Sequence, residues 1–551
     1  MTIPTNQIPS QALETNLGSY EEVYSTFEWQ NKENRYINRS TGKMNAAYEC
    51  IDRHVENGYG NKTALHYVNG DTKQSITFND VKARTDHYAA VLKKHGVEKG
   101  ERVFIFLSKN PECYIAILAV IKVGAIAAPL FEAFMEEAVK DRINDCGGTV
   151  LLTDEELKKR VPVKDIPSLR LILTAKEVEN TEVGNETTPV EWVDPENGLI
   201  LHYTSGSTGK PKGVLHVHRS IVHHYQTGHW VLDLKESDVY WCTSHPGWVT
   251  GSVYGLFAPW LNRATIVISG GRFDADQWYS LIDQLNVTVW YSAPTAFRML
   301  MANEDRVQNY NLNSLRHILS VGEPLNPEVI EWASRVWGKR IHDTWWMTET
   351  GGHLIVNFPG EVIKLGSMGR PFPGVKVGIL DEAGNKLPIG QTGQLAIEAP
   401  WPGLMKTVWN NPDKFESYFP YEGWYVSGDL AYQDEEGYIF FQGRDDDMIN
   451  SSGERIGPFE VESALITHPA VAEAGVVGKP DQLRGEIVKA YITLRTGYEQ
   501  TDELIQDIRL HVRKNLAAHA APREIEVLDE LPKTKISGKI LRRVLKERSI
   551  Q

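Results

Sequence analysis

The ten residues from Thr204 to Gly213, TSGSTGKPKG, constrain this chain more than any other stretch. They hold three glycines, two lysines and four hydroxyl side chains, so the backbone can come close to a ligand while N–H and hydroxyl groups face it. The apolar run 198–203 before them predicts a short buried strand, which places the loop at a strand's carboxyl end, where α/β proteins bind ligands. A phosphate cradle and a flexible surface loop both have this composition, so the loop alone leaves the two interpretations open.

The loop differs from a P-loop. That motif needs a glycine, four further residues, and then Gly-Lys followed by Ser or Thr. Here Pro211 follows Gly209-Lys210, and Thr204 stands where the first glycine would be. Both ends of the motif are therefore missing.

Composition sets broad limits on the class of protein. The 551 residues are too many for one hydrophobic core, so we expect a large domain and at least one smaller one. A net charge of −14 argues against nucleic acid as a partner, because phosphate contacts need a basic face. No run of 18 apolar residues and no export signal are present, so no membrane partner is expected. The cysteines lie far apart, which favours reduced, buried thiols in a cytoplasmic protein: Cys50, Cys113, Cys146 and Cys242.

Helices and strands alternate from about residue 76. Thr77 begins an amphipathic helix that ends near Gly96, and a second helix is predicted over 111–123. This alternation predicts an α/β fold with layered, mainly parallel sheets. The predicted strands are 103–107, 125–130, 149–153, 264–268, 287–292 and 317–321.

The pattern changes twice toward the C-terminus. Short strands with turn signals between about 375 and 445 predict a compact β subdomain. A polar stretch at 443–447 is typical of a hinge, and the residues after it predict a small α+β domain. We therefore expect a large domain over 1–445, with a helical shell at 1–75, and a small mobile domain over 446–551.

Four further stretches carry residues suited to chemistry. They are Gly322-Glu323-Pro324, the run 343–352 (DTWWMTETGG), the run 425–429 (YVSGD) and the run 531–540 (LPKTKISGKI). Each alone has an ordinary explanation: an aromatic pair in a core, a Gly-Asp turn, a basic tail or a nucleic-acid patch. Taken in order with the glycine-rich loop, they resemble the adenylate-forming superfamily of acyl-CoA synthetases, luciferases and peptide-synthetase adenylation domains.

This resemblance covers nearly the whole chain from about residue 75, and the run 247–251 (GWVTG) with the pair Trp345-Trp346 is most similar to members that activate acetate. It implies an AMP-forming acetate:CoA ligase that uses ATP, CoA and Mg²⁺. A ligase for propionate or another short-chain acid is the alternative. A nucleotide-binding regulator without catalysis and a module that loads a carrier protein are further alternatives, and the intact Lys539, Glu349 and Asp429 speak against the regulator.

The resemblance also implies where ATP binds. Adenine is expected against the 322–324 and 343–347 segments, the ribose on Asp429 beside Arg444, and the phosphates on Thr348, Glu349 and the glycine-rich loop. The residues expected to bind ATP are Thr204, Ser205, Gly206, Ser207, Thr208, Gly209, Lys210, Lys212, Gly322, Glu323, Pro324, Asp343, Thr344, Trp345, Trp346, Met347, Thr348, Asp429, Arg444, Arg455 and Lys539.

Four of the expected site residues are implied to act in catalysis: Lys539, Arg455, Glu349 and Thr204. Lys539 is expected to bridge the acid's carboxylate and the α-phosphate, because a flexible stem with three donors suits two anions. The family usually has one residue between LPKT and SGK, whereas this chain has Lys535-Ile536, which changes how the loop reaches the site. Lys539 is also a candidate for reversible acylation by a lysine acyltransferase and deacylase.

Two half-reactions are implied, with the small domain rotating about Asp446 between them. After rotation, CoA is expected to contact Thr250, Ser452, Gly453 and Arg513.

The expected acid pocket is small. It consists of Trp248, Val249, Thr250, Val321 and Trp346. Relatives that take longer acids tend to have glycine at the position of Trp346, so an indole there should close the pocket after a carbon or two. Trp248 is expected to gate the pocket or to fill the core. An amino acid does not suit this pocket, because residues 243–271 contain no acidic side chain to receive its ammonium group.

Two metal interpretations follow. Glu349 is the expected Mg²⁺ ligand, since a hard cation needs anionic oxygen. Ile466, His468 and Val471 match a second cation site of relatives, although a capping or surface histidine explains His468 as well. The histidines after the loop invite a metal, but a solvated helix is the favoured interpretation of His216, His218, His223 and His224.

Overall fold

A computed structural model of the chain describes residues 7–10, 14–38, 40–184, 189–205, 211–271, 273–451, 454–481, 484–533 and 540–550. Within these residues the protein is α/β, with two large sheets in the part before residue 445 and a smaller sheet after it. The boundary expected at 445/446 remains a prediction.

The first sheet is mainly parallel and carries the strand that leads into the glycine-rich loop. That strand, Gly198–Ser205, pairs antiparallel with Pro211–Val217, so the loop joins two neighbouring strands. As far as the chain is described, the order across the sheet is Thr407–Val408, Pro211–Val217, Gly198–Ser205, Ile126–Pro129, Arg102–Phe106, Val150–Thr153 and Leu171–Thr174.

The second sheet is antiparallel in one half and parallel in the other, except that its edge strand Thr72–Thr77 pairs antiparallel with Thr63–Asn69. Ile341–Trp345 is its turning point, because it pairs parallel with His317–Ser320 and antiparallel with Ile355–Val356. The described strands run in the order Val377–Leu380, Gly393–Glu398, Trp424–Gln433, Ile439–Arg444, Ser367–Pro371, Ile355–Val356, Ile341–Trp345, His317–Ser320, Val289–Ser292, Val239–Cys242, Thr265–Ser269, Thr63–Asn69 and Thr72–Thr77. The β subdomain expected over 375–445 is therefore hydrogen-bonded into this sheet and does not stand apart from it.

The third sheet belongs to the C-terminal part. Its strands are Glu454–Ile456, Ile449–Ser451, Gly485–Leu494, Val471–Asp481 and Glu524–Val527. The helices Pro458–Ile466, Asp502–Asn515 and Arg542–Ile550 accompany it, with an apolar core around Val461, Ile492 and Ile508. A short ladder at the other end of the chain pairs Gln7–Ile8 with Ile363–Lys364.

Local sequence explains where two of the main helices begin. Thr77 and Asp80 form a reciprocal capping box before Phe78–Lys94, and Asn110 caps Pro111–Lys122. The second helix is almost entirely apolar and buried, and Lys122 near its end pairs with Asp52 at 2.6 Å. The other α-helices in the described residues before 445 are Tyr20–Thr26, Gln30–Glu33, Glu136–Cys146, Glu155–Lys158, Ala175–Glu179, Ile221–Trp230, Val249–Ser252, Ala258–Leu261, Ala275–Leu285, Pro294–Met301, Pro327–Val336 and Pro412–Glu416.

Helix Pro327–Val336 and its N-cap Asn326 make polar contacts with the C-terminal part. Asn326 Nδ2 donates to Ser463 Oγ at 3.1 Å, and Arg495 forms an ion pair of 3.0 Å with Glu328. Elsewhere, all four cysteines are buried and free, as the sequence predicted. Every helix in the described ranges is too short or too polar to cross a lipid bilayer.

Candidate active site

The candidate site begins at the carboxyl ends of two neighbouring strands of the second sheet. Ser320 and Asp343 are paired in register there, and both are buried. Ser320 Oγ and Asp343 Oδ1 make no hydrogen bond with a described residue. Burial raises the pKa of Asp343 to about 8, so the carboxyl group is mainly protonated at neutral pH. A protonated acid offers one donor and one acceptor, which fits the edge of an adenine.

The turn after Ser320 is fixed by charge. Gly322 has φ of +91°, a conformation that favours glycine. The Glu323 carboxylate accepts from Thr295 Oγ1 at 2.8 Å and from Arg298 Nη2 at 2.8 Å. The Gly322-Glu323-Pro324 backbone is therefore held beside the Asp343 strand. That adenine binds there remains a prediction.

Asp429 lies on a long strand of the same sheet and is held from two sides. Trp345 Nε1 donates to one of its oxygens at 2.8 Å, and Arg444 Nη1 donates to the other at 2.9 Å. Asp429 and Arg444 are also paired in register on adjacent strands. A buried carboxylate fixed in this way can accept both hydroxyls of a ribose, and the structure brings it next to the tryptophan that the sequence placed near adenine.

Glu349 and Lys212 meet through a tyrosine. Tyr418 Oη donates to Glu349 Oε1 at 2.9 Å and accepts from Lys212 Nζ at 3.2 Å. Desolvation lowers the pKa of Lys212, although the nearby Glu349 raises it. Glu349 is buried, and its carbonyl accepts from Met405 N at 2.9 Å. A carboxylate and a lysine thus face the end of the strand pair from which the glycine-rich loop extends.

Three histidines hold the loop 348–353, which carries Thr348 and Glu349, through hydrogen bonds to its backbone carbonyls. His216 Nε2 lies 2.8 Å from the Thr348 carbonyl, His223 Nε2 lies 2.9 Å from the His353 carbonyl, and His224 Nε2 lies 3.0 Å from the Gly351 carbonyl. Since a carbonyl only accepts, each ring must carry its proton on Nε2. The Nδ1 atoms, buried and without a described partner, are consistent with this tautomer.

These contacts correct the interpretation of that segment as a solvated helix. His216, His223 and His224 are at most 1% exposed, and so is His218, whose Nδ1 accepts from Ala46 N at 3.1 Å. Burial lowers the pKa of His216 and of His223 to about 4, so both stay neutral at physiological pH. The interior tolerates these polar rings because a neutral imidazole can donate to a carbonyl of the loop.

Gly351 shows how closely this loop is packed. Its φ is +70°, and a Cβ atom there would lie 1.9 Å from the carbonyl oxygen of Gly403. Any larger side chain at Gly351 would displace the loop that carries Glu349.

The glycine-rich loop itself is only partly described. Thr204 lies on the strand Gly198–Ser205 and pairs in register with Lys212, and its buried Oγ1 has no described partner. The backbone of Ser205 ends the described part of that strand. The expected phosphate-binding residues Gly206, Ser207, Thr208, Gly209 and Lys210 lie outside the described residues.

The expected acid pocket is brought together in part. Trp346, Val321 and Val249 belong to the same apolar cluster, with Thr250 on the short helix Val249–Ser252. Trp248 belongs to a different cluster and packs against Phe131 and Phe134, with ring centroids 5.5 and 6.0 Å away. Met347, which follows Trp346 in the chain, accepts a hydrogen bond at its sulfur from Tyr425 Oη at 3.0 Å.

The C-terminal candidates are the least described. Arg513 is exposed on the helix Asp502–Asn515, and Arg455 lies in the strand Glu454–Ile456. Asp446, the expected hinge, lies in the single helical turn Asp445–Asp447 directly after the strand that carries Arg444. Lys539, Ser452 and Gly453 lie outside the described residues, as do Lys535-Ile536.

The two expected metal positions differ in their surroundings. Glu349 offers a buried carboxylate beside Thr348, which suits Mg²⁺ when substrate phosphates supply further oxygens. Around His468 the polar atoms have protein partners: Nδ1 accepts from Ala470 N at 3.2 Å, Nε2 lies 3.2 Å from Asp507, and the Val471 carbonyl accepts from Arg495 Nε at 3.0 Å. Ile466 ends the helix before it. Within the described ranges no three His, Cys, Asp or Glu side chains form a metal-binding group.

Sequence reasoning missed several residues that position the site. Tyr418 lies outside every recognised motif, although its hydroxyl joins Lys212 to Glu349. Tyr291 lies within a predicted core strand, and only its polar hydroxyl at the carboxyl end of that strand could have pointed to the site. Thr295 and Arg298, which hold Glu323, lie on a helix that carried no signal.

Comparisons with known proteins show the family of the chain. The chain matches the AMP-binding enzyme family over residues 51–409 and the AMP-binding enzyme C-terminal domain over 460–539. It is 58% identical to the acetyl-coenzyme A synthetase of Bacillus subtilis, covering 98% of this chain and 96% of that protein. It is also similar to a crystal structure of a Brucella canis acyl-CoA synthetase, with 33% identity, a TM-score of 0.74 and coverage of 96% and 98% of the two chains. The anthranilate CoA ligase AuaEII in complex with anthranoyl-AMP is 29% identical, with a TM-score of 0.84 and coverage of 92% and 98%.

Proposed function

The chain belongs to the AMP-binding enzyme family, and on that premise we propose that it is an AMP-forming acetate:CoA ligase. It makes acetyl-CoA from acetate, ATP and CoA through an acetyl-adenylate. The name of its Bacillus subtilis relative, which matches over nearly the full length of both chains, supports acetate over propionate.

The segment 343–349 carries the proposal. Asp343 offers an oxygen that has no partner among the described residues and suits adenine, and Trp345 fixes Asp429 for the ribose. Trp346 closes the acid pocket, and Glu349 faces the phosphates. Binding of adenine, ribose, the acid and the phosphates is thus assigned to residues within one segment of seven. A regulator that only bound nucleotide would have no use for the acid pocket.

In the first half-reaction the acid's carboxylate attacks the α-phosphorus in line and pyrophosphate leaves. The protein's work is to position two anions and to offset their repulsion. We assign that work to Lys539, which bridges carboxylate and α-phosphate, with Arg455 as a second cation and Thr204 as a hydroxyl donor at the loop. The glycine-rich loop, Lys212 and Thr348 hold the departing phosphates.

Mg²⁺ supplies charge neutralisation of the phosphates when it is bound. Glu349 is the residue that would hold it, because its carboxylate is fixed by Tyr418 and adjoins Thr348. Ile466, His468 and Val471 stay in the proposal as a second cation site formed partly through backbone carbonyls, for which Arg495 would have to release the Val471 carbonyl.

In the second half-reaction the CoA thiolate attacks the acyl carbon and AMP leaves, so no protein nucleophile is needed. The small domain rotates about Asp446 between the two steps, which removes Lys539 and brings Ser452, Gly453 and Arg513 toward Thr250 for CoA. Arg513 is exposed, as a contact with CoA phosphates requires.

A panel of acids tests the proposal. Purified protein with ATP, CoA and straight-chain acids of two to eight carbons should form AMP and pyrophosphate, fastest with acetate. Propionate should be weaker but not excluded, since one methylene in an apolar pocket is worth about 1–3 kcal/mol. Replacing Trp346→Gly should move the preference to four carbons or more. Failure to form AMP from any acid would refute the proposed function.

The role of Lys539 is tested separately. Lys539→Ala should abolish acetate-dependent pyrophosphate exchange and retain thioester formation from supplied acetyl-AMP. Equal loss of both would assign adenylation to another cation. A lysine acyltransferase and deacylase acting on Lys539 are proposed as protein partners, and acylation would stop adenylation because it removes the charge. A cytoplasmic location belongs to the same proposal and is supported by the four free, buried thiols.

A further inference from the structure

Three aromatic side chains contact the indole of Trp346. They are Tyr254, Tyr291 and His353, and we refer to them as the indole box. Tyr254 meets Trp346 edge-on at 5.0 Å between ring centroids and stacks on His353 at 3.8 Å. All four rings are buried, with Trp346 at 8% exposed and the three box residues at or near zero. The box residues are absent from the sets expected to contact the acid, ATP or CoA.

The hydroxyl of Tyr291 is the centre of the polar contacts in the indole box. Trp346 Nε1 donates to it at 3.2 Å, and it lies 2.7 Å from Thr344 Oγ1 and 2.8 Å from His353 Nε2. Thr344 Oγ1 donates its own proton to the Ser320 carbonyl at 2.7 Å. Thr344 must therefore accept from Tyr291.

This assignment leaves Tyr291 with one donated and two accepted hydrogen bonds. The accepted protons come from Trp346 Nε1 and from His353 Nε2, which fills the capacity of a tyrosine hydroxyl. His353 then carries no proton on Nδ1, and that buried atom has no partner among the described residues, consistent with the assignment. The orientation of the Trp346 indole is thus fixed by a fully used acceptor.

We propose that Tyr291 determines specificity for short acids by holding the Trp346 indole as the end wall of the acid pocket. The inference rests on the proposed function. Tyr291 is a positioning residue, since it acts on the acid only through the indole. Without the hydroxyl, the indole N–H would be buried and unpaired, which is costly, so the ring would turn toward another acceptor and open the wall.

The test is the variant Tyr291→Phe, which removes one oxygen and keeps the ring. The measurement is the ratio of kcat/KM for propionate, and for butyrate, to kcat/KM for acetate, because this ratio does not depend on the fraction of folded enzyme. We expect the ratio to rise about three- to tenfold, the value of one hydrogen bond. The matched control is Tyr88→Phe, which removes a buried hydroxyl without a described partner on the helix Phe78–Lys94 and should leave the ratio unchanged.

A double-mutant cycle tests the route through the indole. In a Trp346→Phe background, which lacks the indole N–H, adding Tyr291→Phe should not change the ratio further. An equal rise in both backgrounds would overturn the proposal. An unchanged ratio in Tyr291→Phe alone would also overturn it. This includes the case in which turnover of every acid falls by the same factor because the ATP site is weaker. Wild-type protein that turned over no acid would instead refute the proposed function.

Discussion

Asp343 is the residue whose chemistry depends most on burial. Its pKa is about 8 in the folded protein, against 3.8 for an ordinary aspartate, so the folded state retains a proton that the unfolded chain releases. The resulting stabilisation is full below about pH 4 and is lost as the pH rises toward 8. The slope reaches about 1.4 kcal/mol per pH unit for one such group.

Asp343→Asn should flatten this dependence, because an amide does not ionise. We expect the apparent melting temperature of the nucleotide-free protein to fall between pH 6 and 8 in the wild type, and to fall less in the variant. Asp305→Asn, which changes a side chain that is 80% exposed, is the control and should behave as wild type. Parallel curves for all three proteins would mean that Asp343 is already ionised at pH 6.

At the scale of elements, the site depends on how the 348–353 loop is attached to the strand Pro211–Val217 and to the helix Ile221–Trp230. The 348–353 loop receives hydrogen bonds from His216, His223 and His224, all on the segment that follows the glycine-rich loop. The two segments that we expect to face the phosphates are therefore joined by neutral imidazoles. A change in one of these histidines should alter ATP binding before it alters acid selection.

His216→Ala should raise the KM for ATP about tenfold, because the Thr348 carbonyl loses its donor next to Glu349. His216→Gln, whose amide can donate, should restore part of the loss. His218→Ala is the matched control, since His218 is equally buried but bonds the backbone N–H of Ala46. The propionate-to-acetate ratio should stay constant in all three variants. Equal changes in the KM for ATP in His216→Ala and His218→Ala would indicate a general structural effect.

Local sequence predicted individual helices and strands better than it predicted which strands are adjacent in a sheet. The Thr77 capping box and the buried helix Pro111–Lys122 follow from nearby residues, and both were predicted to within a few positions. The antiparallel strands over 377–444 were predicted as a β subdomain of the large domain, but their hydrogen bonding to the parallel strands does not follow from local sequence, because strand order is set by distant contacts. The histidines were wrongly predicted to be solvated, since their acceptors lie more than 120 residues away.

The candidate site shows the same division. Asp343, Trp345, Glu349 and Asp429 were found because each lies in a motif, and the structure adds what holds them. Tyr418 and Arg298 have no motif, since their role is to contact residues that are distant in the chain. Family resemblance therefore predicts groups that are expected to touch the substrate more readily than groups that position them.

At the scale of the whole molecule, the proposed rotation of the small domain must break the contacts that join it to helix Pro327–Val336. Two such contacts are the Asn326–Ser463 hydrogen bond and the Glu328–Arg495 ion pair. Glu328 is desolvated at this junction, which raises its pKa, while Arg495 lowers it. These contacts start one residue after the Gly322-Glu323-Pro324-Leu325 turn, so the junction adjoins the proposed adenine site.

A disulfide across this junction tests the rotation. Asn326→Cys with Ser463→Cys places thiols where two side chains now hydrogen-bond at 3.1 Å. The native cysteines are buried and should not compete for the new bond. The oxidised double variant should retain one half-reaction, either acetate-dependent pyrophosphate exchange or thioester formation from supplied acetyl-AMP, and lose steady-state acetyl-CoA synthesis.

Reduction with dithiothreitol should restore the full cycle, and each single cysteine variant should be insensitive to oxidation. A cross-linked protein that still catalyses one half-reaction must be folded. Loss of the other half-reaction alone would therefore show that movement is blocked. Undiminished acetyl-CoA synthesis by a protein shown to be fully cross-linked would mean that the arrangement joining helix Pro327–Val336 to the C-terminal part serves both steps, and that no rotation about Asp446 is needed.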